Sequence, residues 1–423
     1  MEQKKQTKAL RWGYSTGACA AALARAAWLH LQGREAARVV VRFLDGVERI
    51  LPLLATDDHA VAIRKDGGDD PDCTHGAVLF GRLTRTTEPA RPEDYTLAVG
   101  GGTVILRASS GVGLCTRPGL DCERGKWAIN LGPRRMIAEN LAEAGLDAGS
   151  WLFELGVENG EELAQHTLNP HLGVVGGLSI LGTTGLVRPF SHEAYIETVR
   201  LCVRSHHRSG GTRMVFCTGG RTRSGAARRF PELPATAFAC IGDFIAESLA
   251  VACAYGMREI VVACMAGKLC KYAAGFANTH AHKVSQDMDL LRAELRRCLP
   301  GSGALEASGE SSGEIFAAVA HSVSVREALL AIPEALRPEL LRHLARTALE
   351  RFAERCDVAL RLVVFDFEGH FLFEEASARG TGDVPGRVPG MEAVTKDAPD
   401  DAPDDAPGTV IGPNYFLHTD TTG

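Results

Sequence analysis

The sequence predicts two α/β domains and a structureless tail: an N-terminal α+β domain over 1–148, a Rossmann-like α/β/α domain with a mostly parallel sheet over 149–376, and a disordered Asp/Pro/Gly-rich tail over 377–423. Three observations predict this. At 423 residues the chain exceeds one ordinary hydrophobic core, so two domains are the expectation. From about residue 150 one phrase repeats: a short apolar run, a glycine turn, a helical stretch. Such alternation reads as a parallel sheet covered on both faces. Beyond 377, Gly, Pro and Asp dominate, and "DAPDDAPDDAP" (397–407) has almost nothing to bury.

The first domain opens on an alanine-rich helix. Ser15 or Thr16 caps it, "ACAAALARAAWLHLQ" propagates it, and Gly33 ends it. In "ARVVVRFLDGVERILPLL", Asp45-Gly46 lies between two β-rich runs, and such a pair tolerates the positive φ of a tight hairpin. Strands are expected at 59–64, 76–84 and 95–107, and a helix opened by Pro133 in "LGPRRMIAENLAEAGL". The apolar runs of the second domain are "LGVVGG" (172–177), "MVFCTGG" (214–220), "IVVACMAG" (260–267) and "RLVVFDFEG" (361–369). Helices are expected at 191–205, 237–256, 267–275 and 287–298, and a loop at "GSGALEASGESSGE" (301–314).

Composition excludes several classes. The formal charge of −6 comes mostly from the five aspartates of the tail repeat, so the body is near neutral. Only nine of the 46 basic residues are Lys, and no basic block is long enough for nucleic acid. The most apolar helical stretch, 237–256, carries Asp243 and Glu247 at i and i+4, which argues against a membrane span and reads as a wet stripe. The twelve cysteines show no C-x-x-C or metal-finger spacing and read as small buried hydrophobes of a reducing compartment. With no apolar leader at the amino terminus, the expectation is a cytoplasmic protein without a bound metal, and a homo-oligomer stays open.

Ligands of open α/β sheets bind beyond the carboxyl ends of the strands, where the glycine turns fall. "GGLSILGTTG" is neither a dinucleotide fingerprint nor a phosphate loop. Gly176, Gly177, Thr183, Thr184 and Gly185 either expose amides to a ligand or form a self-satisfied turn; Arg188, just after them, tips the balance toward binding. Arg134 and Arg135 fall in the expected first turn after Pro133, where the helix dipole disfavours cations by about 0.3–1 kcal/mol each. An anionic ligand would offset that, as would splaying into water. Arg221 follows another glycine turn, and Lys268 and Lys271 share a helix face ahead of Asn278, Thr279 and His280. "KDGGDDPDCTHG" (65–76) gathers Asp66, Asp69, Asp70, Asp72 and His75 without the alternation of a calcium loop, which favours a solvated turn. Residue types thus indicate an anionic ligand and no particular reaction.

Seven phrases in order resemble one family. They are "GYSTGACAAALARAA" (13–27), "GGDDPDCTHGA" (67–77), "TRPGL" (116–120), "AINLGPRRMI" (128–137), "NPHLGVVGGLSILGTTGLVRPFS" (169–191), "CTGGRT" (217–222) and "GKLCKYAAGFANTH" (267–280). Together they resemble the cobalt-precorrin-5B C1-methyltransferases, the CbiD family of anaerobic cobalamin synthesis, over roughly 8–370. Departures are Leu131-Gly132 for an expected Pro-Val, Ala18 for Thr, Ala266 for Pro and Ala281 for a polar residue; they bear on substrate fit. The resemblance implies methyl transfer from S-adenosyl-L-methionine to C1 of a cobalt-bound tetrapyrrole. On that reading Arg134, Arg135, Arg221, Lys268 and His280 meet the macrocycle's carboxylates. Gly176, Gly177, Thr183, Thr184, Gly185 and Arg188 hold the donor, and His75 or Asp70 acts as acid or base. Two rivals stay open. An NAD-dependent oxidoreductase lacks its expected fingerprint here. A non-catalytic corrinoid carrier would need a ligating His such as His75, His192 or His280.

Overall fold

The computed structural model describes residues 10–54, 60–189, 191–280, 288–298, 312–322 and 324–377, which divide into two compact units at Leu201/Cys202. The expected tail beyond 377, most of the 301–314 loop and Ala281 lie outside the described residues. Among the described residues no helix is long and apolar enough to cross a membrane.

In unit 1 a two-residue strand β1 (Gly13–Tyr14) leads into helix α1 (Thr16–Leu31), capped by Ser15, whose Oγ accepts from the Ala18 amide at 3.1 Å. Its alanines are small enough for close packing on nearly all sides, and twelve of its residues are buried. The Asp45-Gly46 hairpin forms between β2 (Arg38–Arg42) and β3 (Glu48–Pro52). A five-stranded sheet then collects β4 (Val61–Arg64), β5 (Val78–Arg85), β6 (Tyr95–Val99), β7 (Gly102–Ala108) and, after β8 (Leu114–Cys115) and helix α2 (Leu131–Glu143), β9 (Ser150–Val157). The order is β4-β5-β9-β7-β6. The expected single strand 95–107 breaks at Gly100, whose φ of +55° turns the chain back on itself.

Strand β9 runs antiparallel to β5 and parallel to β7 at the middle of this sheet. A boundary after 148 would strip that sheet of its centre, so the division falls near 201 instead. The run "LGVVGG" is corrected with it. Helix α3 (Gly160–Gln165) and the short α4 (Asn169–Leu172) precede it, and Gly173 (φ +83°) and Gly176 (φ +81°) leave only β10 (Val174–Val175) extended. That pair meets β8 in an antiparallel ladder within unit 1 and joins no parallel sheet. Strand β11 (Leu186–Val187) pairs with β1.

One buried ion pair holds the β6–β7 hairpin. Arg107 donates through Nε and Nη2 to Asp94 Oδ2 at 3.0 and 2.9 Å, and Trp127 Nε1 donates to Oδ1 at 3.1 Å. Asp94→Ala leaves the buried Arg107 guanidinium with only the long Glu88 contact at 3.5 Å and is expected to cost about 3–5 kcal/mol; urea unfolding of the full chain measures it. An unchanged midpoint would show that water reaches the guanidinium and replaces the carboxylate.

Helix α5 (His192–Arg208) contains the division. Unit 2 is built on β12 (Arg213–Cys217), β13 (Phe238–Cys240), β14 (Glu259–Met265), β15 (Ala359–Phe365) and β16 (Phe371–Ala376), in the order β13-β12-β14-β15-β16. All neighbours are parallel except β15 and β16. Helix α6 (Gly220–Arg229) follows β12, α7 (Ile245–Ala254) follows β13, and α8 (Ala266–Ala273) follows β14; α9 is Met288–Cys298. The expected helix 237–256 is therefore a strand, a turn at Gly242 (φ +52°) and a shorter helix, because Phe238-Ala239-Cys240 completes the sheet edge. Asp243 precedes α7, so no Asp243/Glu247 stripe forms. From β12 the chain first goes to one side, β13, and then to the other, β14.

Candidate active site

In unit 1 the amino terminus of α1 is wired to the 179–185 segment. Ser15 N donates to Gly185 O and Gly17 N to Leu181 O, both at 2.9 Å. The Thr16 hydroxyl accepts from Leu181 N at 2.9 Å and reaches the Ser179 carbonyl at 3.2 Å. The glycines of this segment face protein. A Cβ on Gly182 would lie 2.2 Å from Ser15 Oγ, on Gly185 2.5 Å from the Phe43 ring, and on Gly177 2.4 Å from the Gly111 backbone. This corrects the picture of open glycine corners at the tips of a parallel sheet: of the three glycines assigned to the donor, Gly177 and Gly185 close on the chain, and Gly176 alone faces open space. Thr184 Oγ1 accepts from Leu186 N at 3.2 Å, whereas Thr183 Oγ1 is buried without a partner among the described residues. Arg188 is exposed and sits 5.8 Å from the Trp12 ring centroid.

Beside this junction the 65–76 loop is tightly folded, with Lys65, Gly67, Asp70 and Thr74 buried and Asp69, Pro71 and His75 exposed, so it is less solvated than the turn expected for it. Gly13 and Gly67 meet backbone to backbone, and Tyr14 N donates to Asp66 O at 2.7 Å. Lys65, 2% exposed, donates to Asp72 Oδ2 at 3.3 Å. Asp72 also accepts from the Thr74 hydroxyl and, at 3.1 Å, from the Thr74 amide. Burial alone would raise the Asp72 pKa, but Lys65 and Thr74 outweigh it and hold the carboxyl below its usual range. Asp70 is 4% exposed; Oδ1 accepts from Asp72 N at 3.0 Å and Oδ2 has no partner among the described residues. Burial, aided by the charge of Asp72, pushes the Asp70 pKa up to about 6 against the opposition of the Asp72 amide and Lys65. His75 is exposed, and its Nδ1 accepts from Gly67 N at 3.0 Å, so the neutral ring carries its proton on Nε2. A cavity of about 90 Å³ opens here, with Ser15, Thr16, Lys65, Asp72 and Thr74 on its wall.

Arg134 and Arg135 are also in unit 1, but not in a first turn. Helix α2 starts at Leu131 behind the cap Asn130, and Arg134 N already donates to Asn130 O at 3.1 Å. The expected dipole penalty is therefore smaller, since both arginines lie further from the helix start than expected. The Arg134 guanidinium stacks 4.0 Å from the Tyr95 centroid with Glu123 at 3.8 Å, and Arg135 faces solvent near Glu139.

The other three cations assigned to the macrocycle belong to unit 2. Lys268, at the start of α8, donates to Gly242 O and pairs with Asp243 at 3.0 Å; Thr279 Oγ1 donates to the same carboxylate at 2.8 Å. Burial lowers the Lys268 pKa and Asp243 partly restores it. His280 adjoins this group, its amide donating to Asn278 Oδ1 at 2.9 Å. Arg221 lies on α6 and reaches Phe367 O at 3.4 Å. Gly219 and Gly220 ahead of it have open space where a Cβ would be. Sequence reasoning missed Lys65 and Asp243. Lys65 had a signal: it is the only lysine between residues 9 and 125 of an arginine-dominated chain. Among the described residues no group of three or more His, Cys, Asp and Glu side chains is arranged to hold a metal ion.

The CbiD family profile matches residues 3–189. The cobalt-precorrin-5B C(1)-methyltransferase of Methylococcus capsulatus is 38% identical over 391 residues, covering 90% of this chain and 97% of its own. The protein of that name from Dechloromonas aromatica is 36% identical over 375 residues, covering 86% and 90%, and that from Pelobacter propionicus 35% identical over 410, covering 89% and 99%. A solved structure, the cobalamin biosynthesis protein (cbiD) from Archaeoglobus fulgidus, is 25% identical with a TM-score of 0.35, over 63% of this chain and 80% of that one. Relatives this similar over nearly their whole length show that the chain belongs to the CbiD family.

Proposed function

We propose that this chain transfers the methyl group of S-adenosylmethionine to C1 of cobalt-precorrin-5B, giving cobalt-precorrin-6A. The observation that carries the reading is the 38% identity, over 97% of its length, to a relative bearing that name. The chemistry is an in-line displacement: a carbon electron pair of the ring attacks the methyl, the C–S bond breaks, and sulfur leaves with its pair as a thioether. Holding the reactants aligned supplies up to about 7–11 kcal/mol without a covalent nucleophile. The positive charge of the sulfonium passes to the macrocycle, where a carboxylate offsets it or accepts a ring proton. Asp70 fits that task, being buried with an unpartnered oxygen and a pKa near 6. His75 is the outer candidate, with Nε2–H free to donate.

Arg134, Arg135, Arg221, Lys268 and His280 are the cations offered to the carboxylate arms of the macrocycle. For the donor, Gly176, Thr183 and Arg188 keep an exposed or unsatisfied group, while Gly177, Thr184 and Gly185 shape the turn that presents them. The parallel order β13-β12-β14-β15 supports the Rossmann-like reading of unit 2. Its order reverses between β12 and β14, the place where such sheets take ligands.

Anaerobic incubation with cobalt-precorrin-5B and methyl-labelled donor, read by mass, is the test: the label must appear in the tetrapyrrole. Replacing both Arg134 and Arg135 by Ala is expected to raise the tetrapyrrole KM about tenfold, by loss of charge-assisted bonds, and to leave donor affinity unchanged in calorimetry. Collapse of donor affinity in a folded variant would reverse the division of the site.

A further inference from the structure

The 90 Å³ cavity of unit 1 has a buried cation on its wall whose bonding capacity is mostly unused. Lys65 carries three N–H donors and is 2% exposed, yet among the described residues its ammonium has one partner, Asp72 Oδ2, at the long distance of 3.3 Å. Asp72 is committed elsewhere, to the Thr74 hydroxyl and amide. Burying an ammonium with two donors unanswered is costly, so an acceptor in the cavity is the natural complement. A second feature adds to it. The N-cap Ser15 and Thr16, the first residue of sixteen-residue α1, lie on the same wall, so the positive end of the helix dipole adjoins the cavity although the Ser15, Gly17 and Ala18 amides are bonded within the chain. Leucines, Leu178 and Leu181 among them, share the remainder with Thr167, Asn169, Ser179 and Thr198. The volume suits a carboxylate on a short methylene arm and is far too small for an adenosine or a macrocycle.

We propose that this cavity is a carboxylate subsite, in which Lys65 holds the end of a short carboxylate arm, aided by the dipole field of α1. Both reactants of the methyl transfer supply such an arm, the methionyl end of the donor and the acetate groups of the tetrapyrrole; naming them as sources rests on that reading of function. In either case the arm anchors its molecule beside the Asp70–Asp72 loop, because Lys65 begins that loop and its backbone is bonded to Gly76 and Ala77.

The test has one arm independent of catalysis. Thermal unfolding of the full chain is followed in sodium acetate, in sodium chloride at matched ionic strength, and in acetamide, the uncharged isostere. Acetate alone should raise Tm, by about 2 °C or more at high occupancy. The gain should vanish in Lys65→Met with Asp72→Leu, which removes the ion pair as a unit and leaves no buried charge stranded. Equal Tm in the three media, or a gain that survives in the double variant, overturns the proposal. Calorimetry then identifies the source. If it is the donor, the double variant binds S-adenosylhomocysteine roughly tenfold to a hundredfold more weakly, and its decarboxylated analogue as well as the parent protein does. If it is the macrocycle, donor affinity holds and the tetrapyrrole KM rises by that factor. Loss of neither overturns the assignment to a reactant. A parent protein that gains Tm from acetate but binds no S-adenosylhomocysteine and methylates nothing refutes the functional reading and leaves the carboxylate subsite standing.

Discussion

Asp70→Asn is expected to make the protein more stable and nearly inactive in one step. The Asp70 carboxyl is 4% exposed and its pKa is pushed from 3.8 up to about 6, chiefly by burial. The folded chain therefore holds this proton more tightly than the unfolded chain does. Linkage then fixes the sign: the contribution to stability is full below about pH 4, falls as pH rises toward 6, and is lost above it. Above pH 7 the ionised Asp70 costs up to about 3 kcal/mol. Asn is neutral at every pH and keeps the oxygen that accepts from the Asp72 amide, so at pH 8 the variant should unfold at higher urea than the parent, and at pH 4 the two should coincide. On the proposal that Asp70 exchanges a proton in the reaction, its loss should cost about 10²–10⁴ in kcat. A stability gap that does not change with pH would show that Asp70 is ionised in an ordinary environment. Unchanged kcat alongside the expected gap would make the burial structural and remove Asp70 from the chemistry.

A carboxylate kept charged at such cost is the kind of local inconsistency that functional sites accumulate, and the sequence displayed it only in part. Elements governed by neighbours in the chain were legible. The Ser15-capped alanine helix, the Asp45-Gly46 hairpin and the apolar strands at 214–217 and 260–265 need only capping, turn chemistry and β-branched runs. What depended on distant partners was not. Gly177 and Gly185 read as ligand corners because their true neighbours, Gly111 and Phe43, lie far off in sequence; the Thr16–Leu181 bond spans 165 residues. The domain boundary failed for the same reason, since nothing local says that 150–157 inserts between β5 and β7. The arginine anomaly at 134–135 arose from placing the helix start at Pro133, when Asn130 caps it three residues earlier. The acidic loop was recognised as a cluster, but its burial follows from the approach of Gly13 to Gly67, which no spacing reveals.

That approach supports the second large effect. A Cβ on Gly13 would lie 2.0 Å from the Gly67 carbonyl carbon and 2.4 Å from Gly68 N. Both obstacles are backbone, so no side-chain rotation relieves the clash. Gly13→Ala must push the Arg11–Tyr14 segment off the 65–76 loop, and the Tyr14–Asp66 and Asp69–Arg11 backbone bonds at 2.7 and 2.9 Å go with it. Overpacking of this kind costs about 1–3 kcal/mol before those bonds are counted, so a total of about 3–5 kcal/mol is expected in urea unfolding. Activity should fall further than stability alone requires, because Lys65, Asp70 and Asp72 ride on the displaced loop. Gly176→Ala is the control. Its φ of +81° disfavours a side chain, but nothing lies within 4 Å of the added carbon, so strain alone should cost about 1–2 kcal/mol. A Gly13 variant no less stable than the Gly176 variant would mean that the two segments separate freely, and the buried charges of the loop would then lack the scaffold that keeps water from them.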